Sequence, residues 1–149
     1  MVVSPFAIRS MTVRDHAPVL RLWKSVPGMG LDSLADSKRG IALFLKRNPG
    51  FSLVALSDGR VVGAVLCGHD GRKGYLYHVA VAPGWQGKGI GQAMVKQALK
   101  ALQQSGIGRA DVHVFRGNRQ GRKFWEKIGW RERTSTSRFV IRTDGKAVV

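Results

Sequence analysis

The sequence predicts an α/β fold in which a mixed sheet carries helices on both of its faces. The first observation behind this prediction is that strand-like runs and segments of helical spacing follow one another along the whole chain. The second is the length, because 149 residues without an internal repeat or a linker are enough for one domain with a real core. We therefore predict a single domain over residues 1–149, with its core between about residues 6 and 142.

Seven segments have the residue types and the alternation that are typical of strands. They occupy residues 6–9, 51–56, 61–67, 75–81, 110–115, 131–133 and 137–142. Residues 57–60 read Ser-Asp-Gly-Arg, which is a hairpin signal between the second and the third of these strands. A turn at residues 69–74 then leads into the fourth strand.

Four segments have helical spacing. They cover about residues 12–24, 37–47, 92–104 and 118–128. Thr12 and Asp15 have capping-box spacing at the start of the first helix. Asn118 is a typical helix cap, and Gly129 stands where the fourth helix needs a left-handed residue. The buried side of the first helix is predicted to carry Val19, Leu20 and Trp23.

The most informative segment joins the fourth strand to the third helix. The strand-like run from Tyr77 to Val81 stops at Pro83-Gly84, and further glycines at 87, 89 and 91 precede the helix. Glycines let the backbone approach an oxyanion, and the N–H groups and the dipole at a helix start favour negative charge. The segment therefore predicts a ligand that carries phosphates.

Two common phosphate-binding motifs do not fit this segment. A Walker A loop that begins at Gly84 has its second glycine at Gly89, but Ile90 follows where lysine is required. A dinucleotide fingerprint needs a third glycine three residues after the second, and Gln92 or Met94 occupies that place. The phosphate ligand must therefore belong to another class.

What remains is the pattern Gln86-x-x-Gly89-x-Gly91, preceded by Val-Ala-Val-x-Pro at residues 79–83. It resembles the Q/R-x-x-G-x-G/A motif with which the GNAT superfamily of N-acetyltransferases grips the pyrophosphate of acetyl-CoA. Residues 118–130, NRQGRKFWEKIGW, are similar to the N-x-x-A-x-x-x-Y-x-x-x-G-F stretch of the same family, in the correct order. The resemblance implies a GNAT fold, whose mostly antiparallel sheet splays between its fourth and fifth strands.

The resemblance also implies an enzyme that transfers an acetyl group from acetyl-CoA, its cosubstrate, to a primary amine. The backbone of residues 79–81 would bind the pantetheine arm, and a strand N–H would polarise the thioester carbonyl. The pyrophosphate would lie at the turn and the helix start. The implied coenzyme-binding residues are Val79, Ala80, Val81, Gln86, Gly87, Lys88, Gly89, Ile90, Gly91, Gln92, Asn118 and Trp125.

Two histidines are alternative candidates for the general base. His113 lies five residues before Asn118, where some family members carry a catalytic glutamate, and His78 lies beside the acyl-binding backbone. An imidazole titrates near neutral pH and suits the relay of a proton from an ammonium group. Either side chain could instead be a hydrogen-bonded residue of the sheet, and a route through water needs neither.

Position 125 departs from the family pattern, in which many members place a tyrosine that protonates the departing thiolate. Trp125 has an N–H donor but no acidic hydroxyl, and packing under the coenzyme is its simpler role. Tyr75 or Tyr77 could replace the missing acid, although both fit as sheet residues. A thiol of pKa near ~8.5 can also leave as thiolate and take its proton from water. The proton donor is thus unassigned.

Acceptor specificity is expected in the first two helices, the loop between them and the final pair of strands. Candidates to face the acceptor are Trp23, Met29, Asp32 and Asp36, and an aspartate could bind its ammonium group. For each of the four, core packing or solvent exposure is the alternative. Nothing in the sequence separates a peptide N-terminus from a lysine side chain, a polyamine, an amino sugar or an antibiotic.

The composition is strongly basic, with 25 Lys and Arg against 9 Asp and Glu and a net charge of +16. Such an excess attracts polyanions, of which coenzyme A is one. The basic residues are spread along the chain and no nucleic-acid-binding motif accompanies them, so nucleic-acid binding is not the expected main role. A non-catalytic module that binds an acyl-CoA or another polyanion on the same fold is the alternative function.

Cellular context is predicted from what the sequence lacks. Cys67 has no partner for an internal disulfide, and the four histidines have no zinc-ligand spacing, so no metal is predicted. No run approaches the ~18 apolar residues of a membrane span, and no signal peptide is seen. We expect a cytoplasmic protein, and a homodimer is an open possibility because dimers are frequent in the superfamily that it resembles.

Overall fold

The computed structural model describes residues 5–148. The chain divides after Phe115 into two compact units, and the second begins at Arg116. The strands are β1 (Ala7–Ser10), β2 (Leu53–Ser57), β3 (Arg60–His69), β4 (Gly74–Val81) and β5 (Ala110–Val112). The helices are α1 (His16–Ser25), α2 (Lys38–Arg47), α3 (Ile90–Gln104) and α4 (Arg119–Lys127), and a short 3-10 helix (Val13–Asp15) precedes α1.

The five strands form one sheet in the order β1-β2-β3-β4-β5. The first four are antiparallel neighbours, whereas β4 and β5 are parallel, so the predicted mixed, mostly antiparallel sheet is confirmed. Asp58 and Gly59 both take positive φ, 48° and 73°, in the predicted hairpin between β2 and β3. Two consecutive residues of this conformation match the twist of the strands that they join.

The helix starts follow the local signals in the sequence. The Thr12 N–H donates to the Asp15 carboxylate over 2.8 Å, and Arg9 donates to both oxygens of the same carboxylate. These hydrogen bonds, chiefly those from Arg9, hold the pKa of Asp15 below its ordinary value. At α2, the Ser37 hydroxyl accepts the Gly40 N–H over 3.0 Å. Both bonds satisfy N–H groups that a helix start or the turn before it leaves without a backbone partner.

Helices cover both faces of the sheet in the first unit. On one face Val19 and Trp23 of α1 and Ile41 of α2 pack in one buried cluster with residues of β2, β3 and β4. On the other face α3 approaches so closely that a Cβ on Gly63 would lie 2.9 Å from the Met94 methyl group. The predicted layering of helices, sheet and helix is confirmed.

The sheet opens between β4 and β5. Their last paired residues are Leu76 and Val112, and β5 ends there, whereas β4 continues to Val81. From Tyr77 onward the outer edge of β4 therefore has no strand beside it within residues 5–148. The splay that the resemblance implied is confirmed, and it leaves a gap beside the second half of β4.

Three of the predicted strands differ from the structure. The strand predicted over 110–115 is only three residues long, and no strand forms over 131–133 or 137–142 in the described part of the chain. Phe139 and Ile141 are 93% and 83% exposed, so their alternation with polar neighbours does not mark a buried face. A strand is stable only when neighbours take up its backbone hydrogen bonds, and alternation alone cannot tell whether such neighbours exist.

Candidate active site

The loop between β4 and α3 contains three glycines in the left-handed conformation. Gly84, Gly87 and Gly89 have φ of 86°, 77° and 82°, a conformation that side chains disfavour. No heavy atom lies within 4 Å of the position that a Cβ would take at any of the three. The loop therefore presents bare, open backbone to the outside rather than packing against the protein.

The start of α3 adds a positive field to this loop. Gly89 is the residue before the helix, and Ala93 makes the first intrahelical bond, to the Gly89 carbonyl over 3.0 Å. The N–H groups of Ile90, Gly91 and Gln92 precede that bond, so the helix offers them no acceptor. The first turn has no acidic residue, and Ile90 and Gly91 are buried, which anchors it to the core. These N–H groups suit an oxyanion.

The side chains that the sequence proposed for this loop differ in their surroundings. The Gln86 amide donates to the Val81 carbonyl over 3.0 Å, so it braces the loop against the end of β4. Lys88 and Gln92 are exposed. A role of their ammonium and amide groups toward a phosphate stays a prediction.

A β-bulge interrupts β4 a few residues before this loop. Ala64 pairs with Ala80 and Leu66 pairs with Tyr77, so His78 and Val79 together stand opposite the single residue Val65. His78 has φ of +51°, an uncommon conformation for a residue other than glycine. Such a backbone costs about 1–3 kcal/mol and persists only where the surroundings enforce it. The sequence carried no signal for this bulge.

Trp23 holds the bulge in place from the face of the sheet that α1 covers. Its indole N–H donates to the His78 carbonyl over 2.9 Å, and the two rings meet edge to face at 4.9 Å. Trp23 is fully buried, so it serves the core rather than the acceptor. In a trans peptide the carbonyl and the next N–H point in opposite directions, so the Val79 N–H points away from Trp23.

Asp36 holds the imidazole of His78 from the loop between α1 and α2. The His78 Nε2 atom lies 3.0 Å from both carboxylate oxygens, and the Asp32 N–H donates to the same carboxylate over 2.7 Å. The His16 ring bonds to the Asp36 backbone carbonyl over 2.9 Å. Asp36, which the sequence offered as a binder of the acceptor, therefore has its carboxylate occupied by His78. The 42 positions between them hide this pair from sequence reasoning.

His113, the other candidate base, lies immediately after β5. Its side chain is exposed, and the chain there follows no regular hydrogen-bonded path. Two residues later the Phe115 ring packs against Gly30 of the α1–α2 loop, where a Cβ would lie 2.9 Å from the ring. His78 thus lies in β4 and His113 directly after β5, the two strands that part at the gap.

A cavity of about 280 Å³ borders the same stretch of β4 on the side of α2. Tyr75 and Tyr77 stack along one wall with their ring centroids 6.1 Å apart, and Phe44 of α2 meets Tyr77 edge to face. Arg47 and Asp70 add opposite charges to the lining. The cavity is therefore an open recess lined by aromatic rings and by two groups of opposite charge.

The second unit contains the two remaining residues that the resemblance implied. The Asn118 side chain accepts the Gly121 N–H over 2.9 Å, so its predicted role as the cap of α4 is confirmed. Gly129 has φ of 98°, and the Trp130 N–H donates to the Trp125 carbonyl, which closes the helix as predicted. The Trp125 ring packs against the rings of Phe124 and Trp130. A role of Asn118 or Trp125 toward the coenzyme stays a prediction.

Comparison with known proteins agrees with this architecture. The model of the acetyltransferase (GNAT) family matches residues 19–130. An acetyltransferase of Yersinia pestis (strain Pestoides F) is 28% identical over 116 residues, which cover 78% of this chain and 74% of that protein.

Solved structures share the fold at lower identity. A ribosomal-protein-alanine N-acetyltransferase from Brucella melitensis biovar Abortus 2308 has a TM-score of 0.70 and 22% identity, covering 93% of this chain and 99% of that one. The PaiA N-acetyltransferase of Thermoplasma acidophilum, solved with coenzyme A, has a TM-score of 0.72 and 20% identity, covering 85% and 89%. Because the family model spans well over half of its residues, this chain belongs to the acetyltransferase (GNAT) family.

Proposed function

We propose that this protein binds acetyl-CoA along the free edge of β4 and transfers its acetyl group to a primary amine. The observation that carries the proposal is the continuity of that edge, from His78 to Val81, with the bare glycine loop at the start of α3. An unpaired strand edge offers backbone donors and acceptors to the pantetheine arm. The loop offers the diphosphate a ring of N–H groups at a helix start.

Each implied residue has a part in this arrangement. Residues 79–81 would bond the pantetheine amides through their backbone, with the Val79 N–H free to face away from Trp23. Residues 87–92 would hold the diphosphate, with Gln86 bracing the loop. Asn118 and Trp125 are also proposed as coenzyme-binding residues. The net charge of +16 supports attraction of the anionic coenzyme.

The reaction requires a neutral amine, a polarised carbonyl and a leaving thiolate. The amine nitrogen attacks the thioester carbon, the C–N bond forms and the C–S bond breaks, and its electron pair leaves on sulfur. A backbone N–H of β4 would stabilise the oxyanion of the intermediate. His113 or His78 would take the proton from the amine, and water can supply the proton that the thiolate takes up, since its pKa is near ~8.5.

The acceptor would approach from the cavity between α2 and β4. That cavity borders Tyr77, the first residue of β4 beyond its pairing with β5. The faces of Tyr75 and Tyr77 are electron-rich and attract an ammonium group. The acceptor proposed here is thus a molecule that carries a primary amine. A cytoplasmic location and a homodimer remain part of the proposal.

Calorimetric titration with acetyl-CoA, paired with two glutamate variants, tests the coenzyme site. Gly89→Glu places a negative charge at the diphosphate position and should abolish binding up to about 0.1 mM. Gly106→Glu is the matched control, since Gly106 is also left-handed and open but follows the far end of α3. Equal affinity of the two variants would place the coenzyme elsewhere.

Release of coenzyme A over a panel of amines tests the reaction. The panel contains a peptide with a free N-terminus, a lysine derivative, spermidine and an aminoglycoside, and transfer to at least one amine is expected. The alternative function, a non-catalytic module that binds polyanions, is tested with RNA at several salt concentrations. RNA affinity that falls steeply with salt, together with no transfer to any amine, would replace the proposal by that alternative.

A further inference from the structure

We propose that Asp36 is a positioning residue, which fixes the tautomer of His78 and so makes this histidine the proton acceptor in acetyl transfer. The inference rests on the proposed function, because it assigns a role in the same reaction. It chooses His78 over His113 and gives Asp36 a function other than binding the acceptor.

The pair lies at the gap in the sheet. His78 is two residues beyond Leu76, the last residue of β4 that pairs with β5. The His78 side chain is 14% exposed and that of Asp36 is 7% exposed. The imidazole is therefore largely shielded from water, yet it belongs to the stretch of β4 that borders the opening.

The geometry selects one tautomer. An ionised carboxylate only accepts hydrogen bonds, so the His78 nitrogen that lies 3.0 Å from both Asp36 oxygens, Nε2, must carry a hydrogen. When the ring is neutral, its lone pair is then on Nδ1. Asp36 is the one hydrogen-bond partner of the His78 ring within residues 5–148. Nδ1 has no hydrogen-bond partner among these residues, and we assign it the contact with the acceptor amine.

A ring with Nε2 bonded to a carboxylate and a lone pair on Nδ1 is suited to act as a general base. As the C–N bond forms, Nδ1 takes the proton from the amine nitrogen, and the imidazolium that results has the Asp36 carboxylate beside Nε2. The electron pair of the C–S bond leaves on sulfur, and the thiolate takes its proton from water. The imidazolium returns its proton to solvent before the next cycle.

The strained backbone supports the same reading. His78 has φ of +51°, and its carbonyl is held by the Trp23 indole, so the side chain leaves the strand in a direction that ordinary alternation would not give. Three elements meet to hold it, namely α1, the α1–α2 loop and β4. The titratable groups around the ring are Asp36, Asp32 behind it and His16 on the Asp36 backbone.

The first test is Asp36→Asn, with the panel amine that releases coenzyme A fastest as acceptor. We expect kcat to fall at least about tenfold and the acidic limb of the kcat/KM profile to move, while KM for acetyl-CoA stays within about twofold. Asp58→Asn is the control, because it removes the same charge from an exposed hairpin. It should leave kcat and the kcat/KM profile unchanged. Wild-type kcat and an unmoved profile in Asp36→Asn would overturn the proposal.

A double-mutant cycle separates positioning from a purely structural role. In a His78→Gln background Asp36→Asn should lower kcat no further, because the carboxylate acts only through the imidazole. Independent, additive losses would show that Asp36 acts without His78 and would overturn the proposal. Thermal unfolding of all variants identifies any loss of kcat that comes from unfolding alone.

The tautomer itself is observable without an acceptor. Nitrogen NMR of the histidine-labelled wild-type protein, with His78 assigned through His78→Gln, should show the hydrogen on Nε2. A hydrogen on Nδ1 would overturn the proposal even if Asp36→Asn proved too unstable to assay. If the wild-type enzyme transfers to no amine, the proposed function fails. If it transfers and Asp36→Asn matches it, only this inference fails.

Discussion

The glycine loop after β4 and the bulge within β4 lie a few residues apart, yet they are built in opposite ways. The loop consists of exposed backbone whose shape follows from Gly84, Gly87 and Gly89, and nothing packs where their side chains would be. The bulge at His78 is held by Trp23 and Asp36, which are fully or almost fully buried and come from distant segments. The two halves of the site should therefore respond differently to substitution.

The comparison shows what fixes the backbone conformation of each half. A loop set by local backbone preference can lose ligand binding without loss of the fold, because few other groups depend on it. A bulge set by buried hydrogen bonds ties turnover to stability, because the residues that hold it also fill the core. Four measurements probe this difference, from the largest expected effect to the smallest.

Trp23→Ala should be the most damaging change. It removes a fully buried side chain from the core between α1 and the sheet. It also removes the hydrogen bond that holds the His78 carbonyl. We expect a loss of about 3–5 kcal/mol in the free energy of unfolding, measured with urea. Leu34→Ala, at a side chain that is 61% exposed, should stay within about 0.5 kcal/mol. A mild effect of Trp23→Ala would mean that the bulge does not depend on the core.

Alkaline pH probes β3, the strand that supports β4. Burial raises the pKa of the Cys67 thiol from 9.0 to about 12. As pH rises above about 9, the thiol ionises in the unfolded chain but stays neutral in the folded protein. The free energy of unfolding therefore falls, by about 2–3 kcal/mol at pH 11. Cys67→Val should remove this part of the pH dependence. Equal slopes for the two proteins between pH 8 and 11 would contradict a buried thiol.

Gly89→Ala addresses the loop alone. A φ of 82° strains alanine, so we expect a loss of about 1–2 kcal/mol in stability and a raised KM for acetyl-CoA. Gly106→Ala, with φ of 80° beyond the far end of α3, should lose as much stability without a change in KM. If both variants raised KM alike, the loop would owe its function to the stability of α3 rather than to its own backbone.

Asp15→Asn should have the smallest effect. The pKa of Asp15 is lowered, first by the Arg9 hydrogen bonds, so its contribution to stability is present above the unfolded pKa near ~3.9 and is lost as pH falls through the folded pKa. Because Arg9 is half exposed, we expect less than about 1 kcal/mol at pH 7. The variant should also lose less stability than the wild type between pH 5 and 2. An unchanged acid dependence would show that the ion pair contributes nothing to the start of α1.

Local chemistry made much of the fold predictable. The Asp58-Gly59 hairpin, the Asn118 cap and the closing Gly129 all rest on conformations of one to four neighbouring residues. The same is true of the glycine loop, in which residue type sets φ directly. The shortened β5 and the missing final strands were not predictable in this way, because a strand depends on neighbours that alternation does not reveal.

The sequence by itself determined the family, the order of the elements from β1 to α4 and the glycine-rich loop before α3, since these depend on residue types at short spacing. Only the tertiary structure decided that Trp23 and Asp36 converge on His78, that β4 carries a bulge, and that the Nε2 atom of His78 faces the Asp36 carboxylate. These contacts join residues 42 and 55 positions apart. Such pairs are selected by packing in three dimensions, which no local preference of the chain encodes.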